Sequence, residues 1–255
     1  MRRIETAICN YQGGRKHNED NVRCLTLDNI CAIVVADGLG GHGGGQIASS
    51  IAADYITKSF MKEPLMEPAC IRCLFEQANM AVVKAQTPIQ KMKSTGAALF
   101  INDGAAIWGH TGDSRLYHFK DGVLAAQTLD HSVSQMAVFS GEITKEQIRH
   151  HVDRNKVLKA FGDDEGFKAD ISSIYMLESG YHAFLLCTDG FWEYVLELEM
   201  EIELIKSYTP LDWIRAMNQR LAQRVPENHD NFSAAAVLIN IESKDGRLKK
   251  CISTY

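Results

Sequence analysis

Two apolar runs in this chain end in the same dipeptide: CAIVVA (31–36) stops at Asp37-Gly38, and AFLLCT (183–188) stops at Asp189-Gly190. Each places a carboxylate at the C-terminal lip of a buried strand. Two more acids sit at comparable punctuation points, Asp113 in the tight turn of WGHTGDSR and Asp230 just before the apolar run that starts at Phe232. In antiparallel neighbours the end of one strand adjoins the start of the next, so all four carboxylates can meet at one sheet edge. Like charges a few ångströms apart repel and raise one another's pKa, a cost that divalent cations remove. An all-oxygen donor set suits hard ions such as Mg²⁺ or Mn²⁺ rather than Zn²⁺ with its nitrogen and sulfur preference. A lone Asp-Gly reads as a turn; the recurrence is what points to a metal centre.

A second concentration of polar chemistry lies at GRKHNEDN (14–21), followed by VADGLGGHGGG (35–45). Arg15 offers a planar fork that can grip two phosphate oxygens, and Glu19 and Asp20 can hold metal-bound water. The glycine run has neither the P-loop pattern nor the dinucleotide fingerprint. It is expected to bring backbone close to a metal and then open a helix at Gln46.

These groups need a frame. Segments 4–9, 29–36, 96–101, 105–110, 115–119, 183–187 and 232–239 are rich in β-branched and aliphatic residues and read as strands. Apolar positions three and four apart predict helices over 46–60, 68–86, 198–208 and 211–224. Hairpins, then paired helices, then more strands imply an α+β sandwich of antiparallel sheets covered by helices. Residues 129–164 are polar, with Gly141 between two short helical pieces, and read as an insertion over one edge. The expected organisation is one domain over 1–240 and a charged tail over 241–255.

With 27 basic against 32 acidic residues and a net charge of -5, the chain lacks the basic footprint that a nucleic-acid partner requires. No apolar run approaches the ~20 residues of a membrane span, and residues 1–14 carry no secretion-signal core, so a cytoplasmic protein without a membrane partner is expected. Seven scattered cysteines read as reduced thiols. Cys70 and Cys73 have C-x-x-C spacing but no second ligand pair, and core packing within a helix is the expectation for them.

The chain resembles the protein phosphatase 2C family, in particular its compact bacterial-type members. The motifs that carry the resemblance occur in family order: Arg15 to Asp20, Asp37 to His42, Ser94 to Ala97, Gly112 to Arg115, Asp130 to Ser132, Gly141 to Thr144, Asp189-Gly190 and Asp230-Asn231. The resemblance implies a four-layer α-β-β-α sandwich and a metal-dependent serine/threonine protein phosphatase. By the same resemblance Asp37 would bridge two Mn²⁺ or Mg²⁺ ions, with Asp189 and Asp230 completing one and the Gly38 carbonyl helping to hold the other. Glu19 and Asp20 would act through water, Asp113 with Asp189 would form a third, weaker position, and Arg15 would bind the substrate phosphoryl group. Residues 129–164 would be the flap bordering the site. The implied partners are phosphorylated proteins, targets of a serine/threonine kinase, and the implied state is a monomer.

In such a site a water shared by two ions attacks phosphorus in line, without a phosphoenzyme, so Cys187 is expected to be a strand residue and not a nucleophile. His42 is a candidate general acid for the leaving oxygen, or a residue that orders the glycine loop. Gln46 and Ala97 depart from the family pattern without removing a ligand. Two other readings of the same residues are a silent pseudophosphatase acting as a binding module and a phosphatase of small phosphate esters.

Overall fold

The computed structural model describes residues 4–40 and 44–242. His42 and the tail from residue 243 onward lie outside the described residues. Alternating β-branched and aliphatic residues set the strands, beginning with β1 (Ile4–Tyr11), β2 (Asn21–Leu27), β3 (Ile30–Ala36) and the two-residue β4 (Gly38–Leu39). Helices α1 (Gly44–Lys62) and α2 (Pro68–Ala85) follow. Then come β5 (Lys93–Ser94), β6 (Gly96–Asn102), β7 (Ala105–Thr111), β8 (Arg115–Lys120) and β9 (Val123–Gln127).

Residues 129–164 contain α3 (Val133–Phe139) and a 3₁₀ helix, Lys145–His150. The Ser132 hydroxyl caps α3 by accepting from the Gln135 N–H at 3.2 Å. The chain returns through β10 (Asp170–Ile171), β11 (Tyr175–Met176) and β12 (Gly180–Cys187). It then runs through α4 (Asp189–Trp192), α5 (Glu197–Lys206), α6 (Pro210–Ala222) and β13 (Phe232–Ile241).

All pairings between the named strands are antiparallel. One sheet has the order β1-β13-β12-β8-β9, and the other β10-β7-β6-β3-β2 with β11 also on β7. Strand β3 shows how the layers arise. Its odd-numbered residues Cys31, Ile33 and Val35 pack between the sheets, while Ala32, Val34 and Ala36 pack beneath α1. Phe60 of α1 and Phe75 of α2 fill that outer layer, and Trp213 and Met217 of α6 cover the opposite sheet. The result is the expected four-layer α-β-β-α sandwich.

Strands β2 and β9 were not foreseen. Both are edge strands, and β2 alternates inward Val22 and Cys24 with Arg23, which pairs with Asp54 on α1. The expectation of core packing for the cysteine pair on α2 is overturned. Cys70 is half-buried and Cys73 exposed, because the buried stripe is Ile71, Phe75, Ala78, Asn79 and Val82. No described helix is long and apolar enough to cross a membrane.

Phe184 on β12 is fully buried between the sheets and stacks on His118 with ring centroids 4.4 Å apart. Phe184→Ala is expected to cost about 3–5 kcal/mol in urea-induced unfolding, from lost burial plus the cavity left behind. A cost below about 1 kcal/mol would contradict a dry inter-sheet core.

Candidate metal centre

The sheet registers decide which chain ends meet. Val35 pairs with Ala97, Gly96 with Thr111, Cys187 with both Arg115 and Ala234, and Tyr11 with Phe232. Asp37, Asp113, Asp189 and Asp230 therefore all emerge at one end of the sandwich. They line one cleft of about 420 Å³ together with Arg15, Glu19 and Gly38. Asp20 is buried behind it, its Oδ2 accepting from the Thr188 hydroxyl at 2.9 Å.

Asp37 is fixed through its backbone. Its carbonyl accepts from the Thr95 N–H at 2.9 Å and the Ser94 hydroxyl at 2.8 Å, and its N–H donates to the Thr95 Oγ1 at 3.3 Å. Gly38 lies against the first turn of α1: a Cβ built on it would stand 2.3 Å from the Gly45 carbonyl. One on Gly45 would stand 2.6 Å from the Gly38 carbonyl, so neither position accepts a side chain. The helix opens at Gly44, two residues ahead of the expected Gln46.

Asp189 begins α4, and the backbone there is equally crowded, since a Cβ on Gly190 would meet the Asn231 carbonyl oxygen at 2.0 Å. Asp230 Oδ2 accepts from the Arg15 Nη2 at 2.6 Å, both side chains being partly open to solvent. Asn231 ties the arginine loop to this corner: its Oδ1 accepts from the Glu19 N–H at 2.9 Å, and its Nδ2 donates to the carbonyls of Gln12 (2.6 Å) and His17 (2.9 Å).

Burial, and then the charges of Asp189, Asp20, Asp113 and Asp230, push the Asp37 carboxyl well above its ordinary 3.8. Burial and then Asp113, Glu193 and Asp230 do the same to Asp189. Asp20 and Asp113 rise to about 7, again chiefly through burial. The Oδ1 atoms of Asp20 and Asp113 are buried without a hydrogen-bond partner among the described residues. Orphaned buried oxygens, mutual repulsion and a purely carboxylate donor set fit hard divalent cations.

The sequence reading did not single out Asn155 and Val157, which line the cleft from within 129–164, or Asn231 as a clamp. The Asp-Asn dipeptide ahead of β13 was the one available signal for Asn231. Cys187 is buried as the last residue of β12, and burial pushes its thiol up, so it supplies no thiolate near neutral pH.

A second donor cluster, His110, His131 and Asp170, has ligand atoms within 4.8 Å of one another. It is ill-suited to an ion. The imidazole planes stack 13° apart, so their in-plane lone pairs run side by side. His131 Nδ1 also accepts the Gly112 N–H at 3.2 Å, which places its proton on Nε2, facing Asp170 Oδ2 at 3.3 Å.

Residues 12–232 match the sequence family described as Protein phosphatase 2C. The serine/threonine phosphatase stp of Listeria monocytogenes is 31% identical over 202 residues, covering 76% of this chain and 79% of its own. A crystal structure of a bacterial serine phosphatase superposes with a TM-score of 0.82 at 26% identity, over 94% of this chain and all of that one. The catalytic domain of PstP, solved in complex with two manganese ions, shares the fold at a TM-score of 0.79 and 23% identity, over 94% of this chain and 100% of that one.

Acids whose folded pKa is raised bind more protons in the folded state than in the unfolded chain, so the stability they contribute is full below about pH 4 and lost as pH rises through their folded values. Buried histidines His110, His118, His131 and His182, all lowered from 6.5, act oppositely below that value. Above it the histidines no longer contribute, and since the Cys24 thiol, lowered to about 7, opposes the carboxylates there, the comparison is made with Cys24→Ser protein. The metal-free protein is expected to lose melting temperature between about pH 6.5 and pH 8, and Mg²⁺ to restore more of it at the upper end. A chelated protein whose melting temperature is flat or rising over that window would contradict the crowded-carboxylate site.

Proposed function

The chain belongs to the protein phosphatase 2C family, and on that premise we propose that it is a metal-dependent serine/threonine phosphatase acting on phosphorylated proteins, with Asp37, Asp189 and Asp230 as the heart of its ligand set. The observation that carries this reading is the convergence of four strand-end carboxylates in one cleft with an arginine at its rim. Asp37, Asp189, Asp230 and the Gly38 carbonyl would hold a pair of divalent cations, with Asp37 placed to serve both. Asp113 and Asp189 would hold a further, weaker ion, and Glu19 and Asp20 would act through water. Mn²⁺ and Mg²⁺ both suit these oxygen donors. When bound, the ions supply the charge that polarises water and offsets the phosphoryl oxygens.

The chain's own groups do the positioning. Arg15 presents its fork to the phosphoryl oxygens, and its contact with Asp230 Oδ2 ties the guanidinium to the rim of the cleft. Thr188 orients Asp20, and Asn231 holds the Glu19 backbone. Asn155 and Val157 bring residues 129–164 to the cleft wall, where this flap meets the residues flanking the phosphorylated side chain. His42 is assigned either proton delivery to the leaving oxygen or ordering of the glycine loop. The enzyme acts as a cytoplasmic monomer on targets of a serine/threonine kinase.

Purified protein is expected to hydrolyse phosphothreonine peptides with Mn²⁺ or Mg²⁺ and to stop on chelation. Asp37→Asn should lower kcat by more than about a hundredfold, beyond what outer-shell partners of a metal usually contribute. Arg15→Ala should raise KM roughly tenfold or more, as expected for a charge-assisted hydrogen bond of about 1.5–3 kcal/mol. Wild-type turnover by Asp37→Asn in excess metal would overturn the ligand assignment.

A further inference from the structure

The turn that carries Asp113 is held on every residue. The His131 N–H donates to the Gly112 carbonyl at 2.9 Å, and the Gly112 N–H returns to His131 Nδ1. Ser114 Oγ lies 2.7 Å from Thr95 Oγ1, and Arg115 grips Asp130 with two bonds of 2.8 and 2.7 Å. Asp113 itself is held through its carbonyl, which accepts from the Trp192 Nε1–H at 2.9 Å.

Trp192 stands three residues after Asp189 on the same short helix, so one helical turn carries a cleft carboxylate at its start and the donor to Asp113 at its end. The indole is 1% exposed. The Arg115 guanidinium carbon lies 3.4 Å from its ring centroid, and that of Arg149, from the 3₁₀ helix, 5.5 Å. Arg149 is in turn paired with Glu197 at 2.7 Å. A ring locked by arginines at its surface leaves its N–H only one direction in which to point.

We propose that Trp192 is a positioning residue that sets the Asp113 carboxylate relative to Asp189, and thereby the affinity for the cation those two acids share. Its hydrophobic bulk serves the core, as any large ring would. Its N–H is directed at the backbone of a cleft carboxylate, and a weakly held ion depends most on how well its few ligands are pre-set. The inference rests on the reading of Asp113 and Asp189 as ligands.

Mn²⁺ binding measured by calorimetry, with hydrolysis measured in parallel, separates the two. Trp192→Phe keeps the ring against Arg115 and removes the N–H. It is expected to weaken the low-affinity Mn²⁺ step about tenfold, the lower end of outer-shell effects, while leaving the tight step unchanged. The Mn²⁺ concentration for half-maximal hydrolysis should rise by the same factor, with kcat at saturating Mn²⁺ changed less than about twofold.

In an Asp113→Asn background, adding Trp192→Phe should cost nothing further, because the tryptophan acts through Asp113. Two losses that add would overturn the proposal. So would a Trp192→Phe isotherm like wild type where Asp113→Asn alters it. An Asp113→Asn isotherm like wild type would instead overturn the ligand reading on which the inference stands. Should Trp192→Phe not fold, benzothienylalanine placed at position 192 keeps the bicyclic shape without the N–H, and the same outcomes decide.

Discussion

The constraint on which this structure depends is the repulsion among carboxylates gathered at one end of two sheets. Nothing in an aqueous chain favours bringing Asp37, Asp113, Asp189 and Asp230 together, and burial first, then neighbouring negative charge, raises the carboxyls of Asp37, Asp113 and Asp189. They stay together because each follows or precedes a strand or turn that cannot move away. The apolar packing between the sheets and beneath the helices supplies the opposing free energy. Function of this kind draws on stability generated elsewhere in the fold.

The clamps are small polar residues acting on backbone. Ser94 and Thr95 hold the Asp37 peptide, Thr188 reaches Asp20, and Asn231 gathers the loop bearing Arg15 and Glu19. At Asp37 these bonds engage only the peptide and leave the carboxylate oxygens available, which is what a cation requires; at Asp20 the Thr188 hydroxyl takes one carboxylate oxygen and Oδ1 is left without a partner. The glycines at 38, 45 and 190 serve the same end by close approach: backbone passes within contact of backbone, and any Cβ would force the ligand-bearing segments apart.

The Asp-Gly dipeptide shows how position decides meaning. Asp103-Gly104 and Asp121-Gly122 have positive φ at both residues, 47° and 78°, then 50° and 88°, and close the β6–β7 and β8–β9 hairpins far from the cleft. Asp37-Gly38 and Asp189-Gly190 adopt no left-handed conformation. One leads into β4 and the other opens α4, so their carboxylates face the cleft instead of shaping a turn.

The sequence by itself determined the apolar runs, the acids that end them and the family-ordered motifs, because side-chain periodicity and terminal carboxylates are local properties. It therefore yielded the sandwich and the residues Arg15, Asp37, Asp113, Asp189 and Asp230 as members of one cleft. Edge strands β2 and β9 escaped it, since only the partner strand makes their mixed residues a strand. Tertiary structure alone decided that Asn155 and Val157 reach the cleft and that Trp192 touches the Asp113 backbone across 79 positions of sequence. It also set the stacked geometry that makes His110 and His131 poor co-ligands. Those are relations between distant segments, and no local pattern encodes a distance.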